Sequence, residues 1–219
     1  MVNASILLLL MSCVGWGQTL VASAADRRNL DLTPGGLAAL YCKGMTGDPA
    51  KTTVEVNGLR ASVTYASETQ INFVVPEKVR PGTARVVATS SSGRQTTAEA
   101  PLRDVSPSLF TRTADGLGEV SAMDAVRRTS GPFPTGPDTL IMILGTGIRN
   151  AKQVAVTIGG RPAPVTSFGP EGKSEGLDQV TIRIPPGFAV QGALALELTA
   201  DGRTSGKGVT LTLIAPQGR

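Results

Sequence analysis

Few side chains in this 219-residue sequence could do chemistry, and none of them stands in a recognisable catalytic spacing. Histidine does not occur, which removes the commonest general base and metal ligand. Two cysteines, Cys13 and Cys42, are too few for a thiolate metal cluster. There is no Gly-x-Ser-x-Gly elbow to raise a nucleophilic serine. Gly145-Thr146-Gly147 superficially suggests a phosphate loop, but neither a following lysine nor a helix accompanies it. A strand-end turn is expected there. Asp115, Glu119 and Asp124 form the nearest approach to a carboxylate cluster and read as solvated surface charge. No catalytic residue, cofactor or metal site is assigned, and an enzyme is not expected.

Binding is the class that remains. Sugar-binding modules commonly present aromatic platforms, because stacking on a ring supplies much of their affinity. Aromatic residues make up only 4% of this chain. Tyr41 and Phe73 lie on apolar strand faces and are expected in the core, whereas Phe133, Phe168 and Phe188 lie near loops. Gln70 and Gln179 precede equivalent strands and are expected to bond a turn backbone. The candidate contact edge is the Gly-rich, charged loop 169–177, with Glu171, Lys173 and Glu175, flanked by Phe168 and Phe188. The 21 basic and 17 acidic residues are scattered singly, a net charge of +4. That pattern describes a solvated surface and not a nucleic-acid face.

The elements that must position these residues are strands. Twenty-six glycines and 15 prolines punctuate Val-, Thr- and Ile-rich runs, the composition of a strand-rich chain. Residues 54–63 recur at 156–165, an offset of 102. Each copy runs through alternating apolar residues into a two-residue turn, Asn57-Gly58 or Gly159-Gly160. Such pairs accept positive φ at both positions, as a tight hairpin requires. Further strands are expected at residues 37–42, 70–75, 84–89 and 96–100, and again at 139–144, 179–184 and 210–214. The alternation puts Ile71, Phe73 and Val75 on one face, and Val180, Ile182 and Ile184 on the equivalent face. Strands at this spacing indicate a sandwich, present twice. The second copy is longer by seven residues, and the excess falls in loop 169–177.

Residues 106–137 read as a structured linker packed against one of the modules. At the other end, residues 6–16 are apolar and uncharged but too short to span a membrane. Ala22-Ser23-Ala24 then matches the cleavage pattern of a secretory leader, although its first residues carry no Lys or Arg. A leader over residues 1–24 is expected, with Gly17 as the alternative cut. Leu10-Met11-Ser12-Cys13 faintly resembles a lipoprotein box, but Met11 and the short apolar run argue against lipidation of Cys13. Without the leader, Cys42 is the one cysteine left, and a buried inert thiol is expected.

Several motifs in order carry a resemblance. They are Val54-x-Val56-Asn57-Gly58-x-x-Ala61, Gln70-Ile71-Asn72-Phe73-x-Val75-Pro76, Ser106-Pro107-Ser108-Leu109-Phe110, Gly145-Thr146-Gly147 and Val156-x-Ile158-Gly159-Gly160. Together they resemble an uncharacterised acidobacterial (Solibacter-type) family of exported C-terminal modules, similar to paired immunoglobulin-like domains of the IPT/TIG type. The resemblance covers about residues 31–214. The chain departs from it at Cys42-Lys43, where the second copy has Gly145-Thr146, and at Ile148-Arg149. The expected fold is therefore all-β: two tandem sandwiches, residues 25–105 and 138–219, behind a signal peptide. The expected function is a non-enzymatic interaction or structural module of the cell surface or periplasm. A carbohydrate-binding accessory using the loops of the second module is the alternative. The expected partner is a protein or polysaccharide of the cell envelope, not nucleic acid, met by a monomer without a membrane span.

Overall fold

The computed structural model describes residues 19–45, 48–136, 139–185, 187–188 and 190–215. Every regular element among them is a strand. The first module contains β1 (Leu20–Ser23), β2 (Leu37–Tyr41), β3 (Thr53–Val56), β4 (Leu59–Ala66), β5 (Gln70–Val74), β6 (Gly82–Thr89) and β7 (Gln95–Leu102). Their hydrogen-bonded order is β1-β2-β5-β4-β3-β6-β7. β4 serves two sheets: Leu59, Arg60 and Ala61 pair with β3, and the remainder pairs with β5. The sheet thereby folds over a common core that includes Leu40, Val54, Ile71, Phe73 and Val86. The edges nearly meet, with the Thr19 and Thr96 hydroxyls 2.9 Å apart.

The chain continues through β8 (Ser108–Leu109), β9 (Gly118–Glu119), β10 (Ala122–Asp124) and β11 (Phe133–Pro134). The repeated strands of the second module follow: β12 (Leu140–Thr146), β13 (Val154–Ile158), β14 (Arg161–Ala163), β15 (Val165–Pro170) and β16 (Asp178–Arg183). It is completed by β17 (Gly192–Ala200), β18 (Arg203–Thr204) and β19 (Val209–Ile214). One sheet runs β10-β12-β16-β15 and the other β11-β19-β17-β13-β14. β14 and β15 together occupy the place of β4, with Pro164 interrupting the strand where it changes sheets. Ile141, Ile158, Val180, Ile182, Leu198 and Leu211 fill the core between them.

Both hairpin corners have the expected conformation. Asn57 and Gly58 sit at φ 51 and 79, Gly159 and Gly160 at 55 and 75. The expected faces also form, since Ile71, Phe73, Val180 and Ile182 are fully buried. A further repeated device went unread in the sequence. The strand after each hairpin bulges at a threonine, between Val63 and Tyr65 and between Val165 and Ser167. The unpaired Thr64 and Thr166 donate their hydroxyls to the carbonyls of Asn72 and Thr181 on the adjacent strand. A bulge leaves backbone groups unpaired, and the hydroxyl partly compensates.

Two segments lie at the expected boundaries. Leu20–Ser23, placed in the leader by a cut after Ala24, pairs residue for residue with β2, and Val21 and Ala22 are buried. Residues 1–18, with Cys13 and the alternative cut at Gly17, lie outside the described residues, as do Pro137 and Asp138 at the expected start of the second module. Residues 106–137, expected as a structured linker packed against one module, are paired to the second: β8 and β10 pair with β12, and β9 and β11 pair in parallel with β19.

Two glycines separate turn conformation from packing. Gly58 is open to solvent, whereas a Cβ on Gly147, at φ 74, would collide with the Ser106 carbonyl. Gly58→Ala should lower stability by about 1 kcal/mol, the strain of a left-handed alanine. Gly147→Ala should cost about 3 kcal/mol. Urea unfolding of the two variants tests the difference, and equal losses would contradict it.

Candidate functional site

The modules meet at a hydrogen-bonded seam centred on Thr146, the last residue of β12. Its hydroxyl accepts the Leu37 N–H of β2 and donates to the Gly176 carbonyl, both at 2.8 Å. Asn150 Nδ2 donates to the Pro34 carbonyl at 2.9 Å. Below the clasp, Asp178 is fully buried and accepts from the amides of Ile148 and Arg149 and from Arg149 Nε. Burial pushes its carboxyl above the ordinary value, against the pull of those N–H groups and the guanidinium. Gly145-Thr146-Gly147 is therefore the joint between modules.

Loop 169–177 reaches across this seam. Gly176, at φ 77, lies so close to the first module that a Cβ would come 3.1 Å from the Leu37 nitrogen and from Val74 Cγ2. The loop, β2, β4 and the segment after β8 border an open recess of about 550 Å³, lined by Leu37, Thr64, Phe110, Ser174, Glu175 and Leu177. Its lining is mostly apolar with a few polar groups at the rim, the usual make-up of a small-ligand pocket.

Beside the recess lies the outer face of β2, β5 and β4. Tyr41 pairs with Gln70, and Ala39 with Asn72. Asn72 pairs in turn with Tyr65 across the bulge, so these side chains share the face opposite Ile71 and Phe73. Tyr65 is 48% exposed. Gln70 Nε2 donates to Asn72 Oδ1 at 2.7 Å, which leaves one amide oxygen and one amide NH₂ for other contacts. The Arg27 guanidinium lies 4.4 Å over the Tyr41 ring. This is an aromatic-and-amide shelf next to an apolar recess.

The sequence candidates divide. Glu175 lines the recess. Glu171 turns inward on its own loop, accepting from the Lys173 and Ser174 amides, and the Lys173 side chain is exposed. Phe168 stands half-exposed on β15 opposite Val180. Phe188 is buried beyond the far end of β16, with Arg161 stacked 4.9 Å over its ring, and does not join the others. Tyr41 belongs to the partly exposed outer face and not to the core, because its strand position alternates with Leu40. Gln70 bonds a neighbouring side chain instead of a turn backbone. Tyr65 and Asn72 were missed, though the alternation that buries Ile71 and Phe73 also turns Asn72 outward. Asp115, Glu119 and Asp124 are held separately by Thr113, Thr212 and Arg127. No group of potential metal ligands forms among the described residues. Cys42 is buried and free, and burial pushes its thiol up.

No protein-family model and no curated protein matches this chain. Solved structures are similar at low identity. SGBP-B of the Bacteroides ovatus mixed-linkage glucan utilization locus, in complex with a mixed-linkage heptasaccharide, is 19% identical. The match covers 84% of this chain and 42% of that one, with a TM-score of 0.39. This chain thus spans less than half the length of that protein. The I9–I11 tandem of titin is 11% identical over 90% of this chain and 66% of its own, TM-score 0.26. Fibronectin(III)-like modules of Clostridium thermocellum CbhA are 12% identical over 90% and 95%, TM-score 0.23. The strand orders themselves make the chain a pair of β-sandwiches.

The seam yields a prediction. Thr146→Val removes a hydroxyl and leaves the Leu37 N–H and Gly176 carbonyl unpaired, which should cost about 2 kcal/mol or more. Thr146→Ser should restore most of it. Thermal unfolding of the three proteins is the measurement, and a valine variant as stable as the parent would refute the clasp.

Proposed function

We propose that this chain is a non-enzymatic exported binding protein, a monomer of the cell envelope, whose two sandwiches act as one rigid surface toward a glycan. The observation that carries this reading is the shelf of Tyr65, Gln70 and Asn72 beside the recess at the seam. A ring stacks on the apolar face of a sugar, and paired amides offer both a donor and an acceptor to its hydroxyls. The contact edge is thus read as the first module's sheet with the loop of the second as a wall. In this reading Glu175 is the loop residue that touches ligand. The motif order supports a place among the acidobacterial exported modules of IPT/TIG type.

Affinity electrophoresis through gels cast with neutral polysaccharides tests the binding reading. At least one gel should retard the protein, and Tyr65→Ala should weaken that binding about fivefold without changing stability. No retardation on any polysaccharide would remove the glycan as ligand.

Export is read with the leader cut upstream of β1, because a cut after Ala24 would remove an edge strand whose Val21 and Ala22 are buried. N-terminal sequencing of the exported protein should give a first residue ahead of Leu20. A chain beginning at Ala25 would overturn that cut.

A further inference from the structure

A second cavity at the junction is a polar cleft of about 540 Å³. It is built from both modules: Asp26, Arg28 and Asn29 from the segment after β1, Ser106 from the crossing, and Arg203, Thr204 and Lys207 from the β17–β18 hairpin and beyond. Three cations therefore line it, together with one carboxylate. That carboxylate and Asp31 nearby are already engaged. Asp26 gives both oxygens to Arg28, through Nε at 2.9 Å and Nη2 at 3.0 Å, and also accepts the Arg28 amide. Asp31 accepts Arg103 Nε at 2.9 Å and is bonded by Arg203 Nη2. Asn29 Nδ2 is divided between the Ser106 and Ser108 hydroxyls.

What is left facing the cleft is donor-rich. Arg28 keeps Nη1, since its Nη2 serves Asp26 and the Gly116 carbonyl. Arg203 keeps Nε and Nη1, and Lys207 has no carboxylate partner among the described residues. Gly206 packs its backbone against the Asp26–Arg28 pair, where a Cβ would strike the carboxylate and lie 3.2 Å from Arg28 Nη2. The chain at 206 is thereby held against the cations.

We propose that this cleft is an oxyanion-binding site, taking the carboxylate or phosphate group of a hydroxyl-rich ligand. Guanidinium and ammonium donors from two directions suit an oxyanion, and the Thr204 hydroxyl suits a hydroxyl beside it. The site is separate from the Tyr65 shelf and does not depend on the glycan reading.

The test is titration of the mature protein with inorganic phosphate, D-glucuronate and D-glucose, followed by backbone amide resonances. Phosphate or glucuronate should give saturable shifts at residues 28–29 and 202–207, and glucose should give none there. Saturation by phosphate alone would make the group a phosphate, and by glucuronate alone a carboxylate. Lys207→Gln should weaken binding about fivefold, and Tyr65→Ala should leave it unchanged. Non-saturating shifts with both anions, or equal affinity in Lys207→Gln, would overturn the site.

Discussion

One buried hydroxyl fixes how the two sandwiches meet. Thr146 accepts an amide from β2 of one module and donates its hydroxyl to a loop carbonyl of the other. Since the amide and carbonyl would otherwise be orphaned, the arrangement has little freedom to slide. Asn150 on the Pro34 carbonyl, Arg28 on the Gly116 carbonyl and Arg203 on Asp31 join the modules as well. The long loop lies across the seam beside the recess, and the polar cleft has walls from both modules.

The duplication explains which parts of the fold the sequence made legible. A type of turn that needs positive φ twice has few sequence solutions, so Asn57-Gly58 and Gly159-Gly160 announced the hairpins. Period-two alternation in β5 and β16 announced the core faces. Nothing comparable marks β8, β9 or β11, each of two residues. A strand that short has no period to read, and its pairing is imposed by β12 and β19, far along the chain. Residues 106–137 therefore looked like a linker. The Leu20–Ser23 strand was hidden for a different reason, since small and apolar residues suit both a leader's end and a buried edge.

The candidate site was less legible because it is a product of tertiary packing. Loop 169–177 stood out through its length and composition, and Glu175 does reach the recess. The loop's charge, however, is partly consumed locally, as Glu171 shows by capping its own turn. Tyr65 and Asn72 belong to the repeated strands, where every residue already had a structural use. Only the register across β2, β5 and β4 shows that the polar half of the alternation forms a shelf. The threonine bulge contributes here too: by inserting Thr64 it sets Tyr65 opposite Asn72 and turns both to solvent.

The parallel pairing of β9 and β11 with β19 has a further implication for how the protein can be divided. A fragment starting at the repeat itself, near residue 139, would retain the whole hairpin core of the second module. Yet β12 would lose β8 and β10, and β19 would lose β9 and β11. Two strands with Ile141, Ile143, Leu211 and Leu213 on their inner faces would then present bare backbone edges. Such edges recruit other chains. The short strands ahead of the repeat thus cover both edges of the second sandwich.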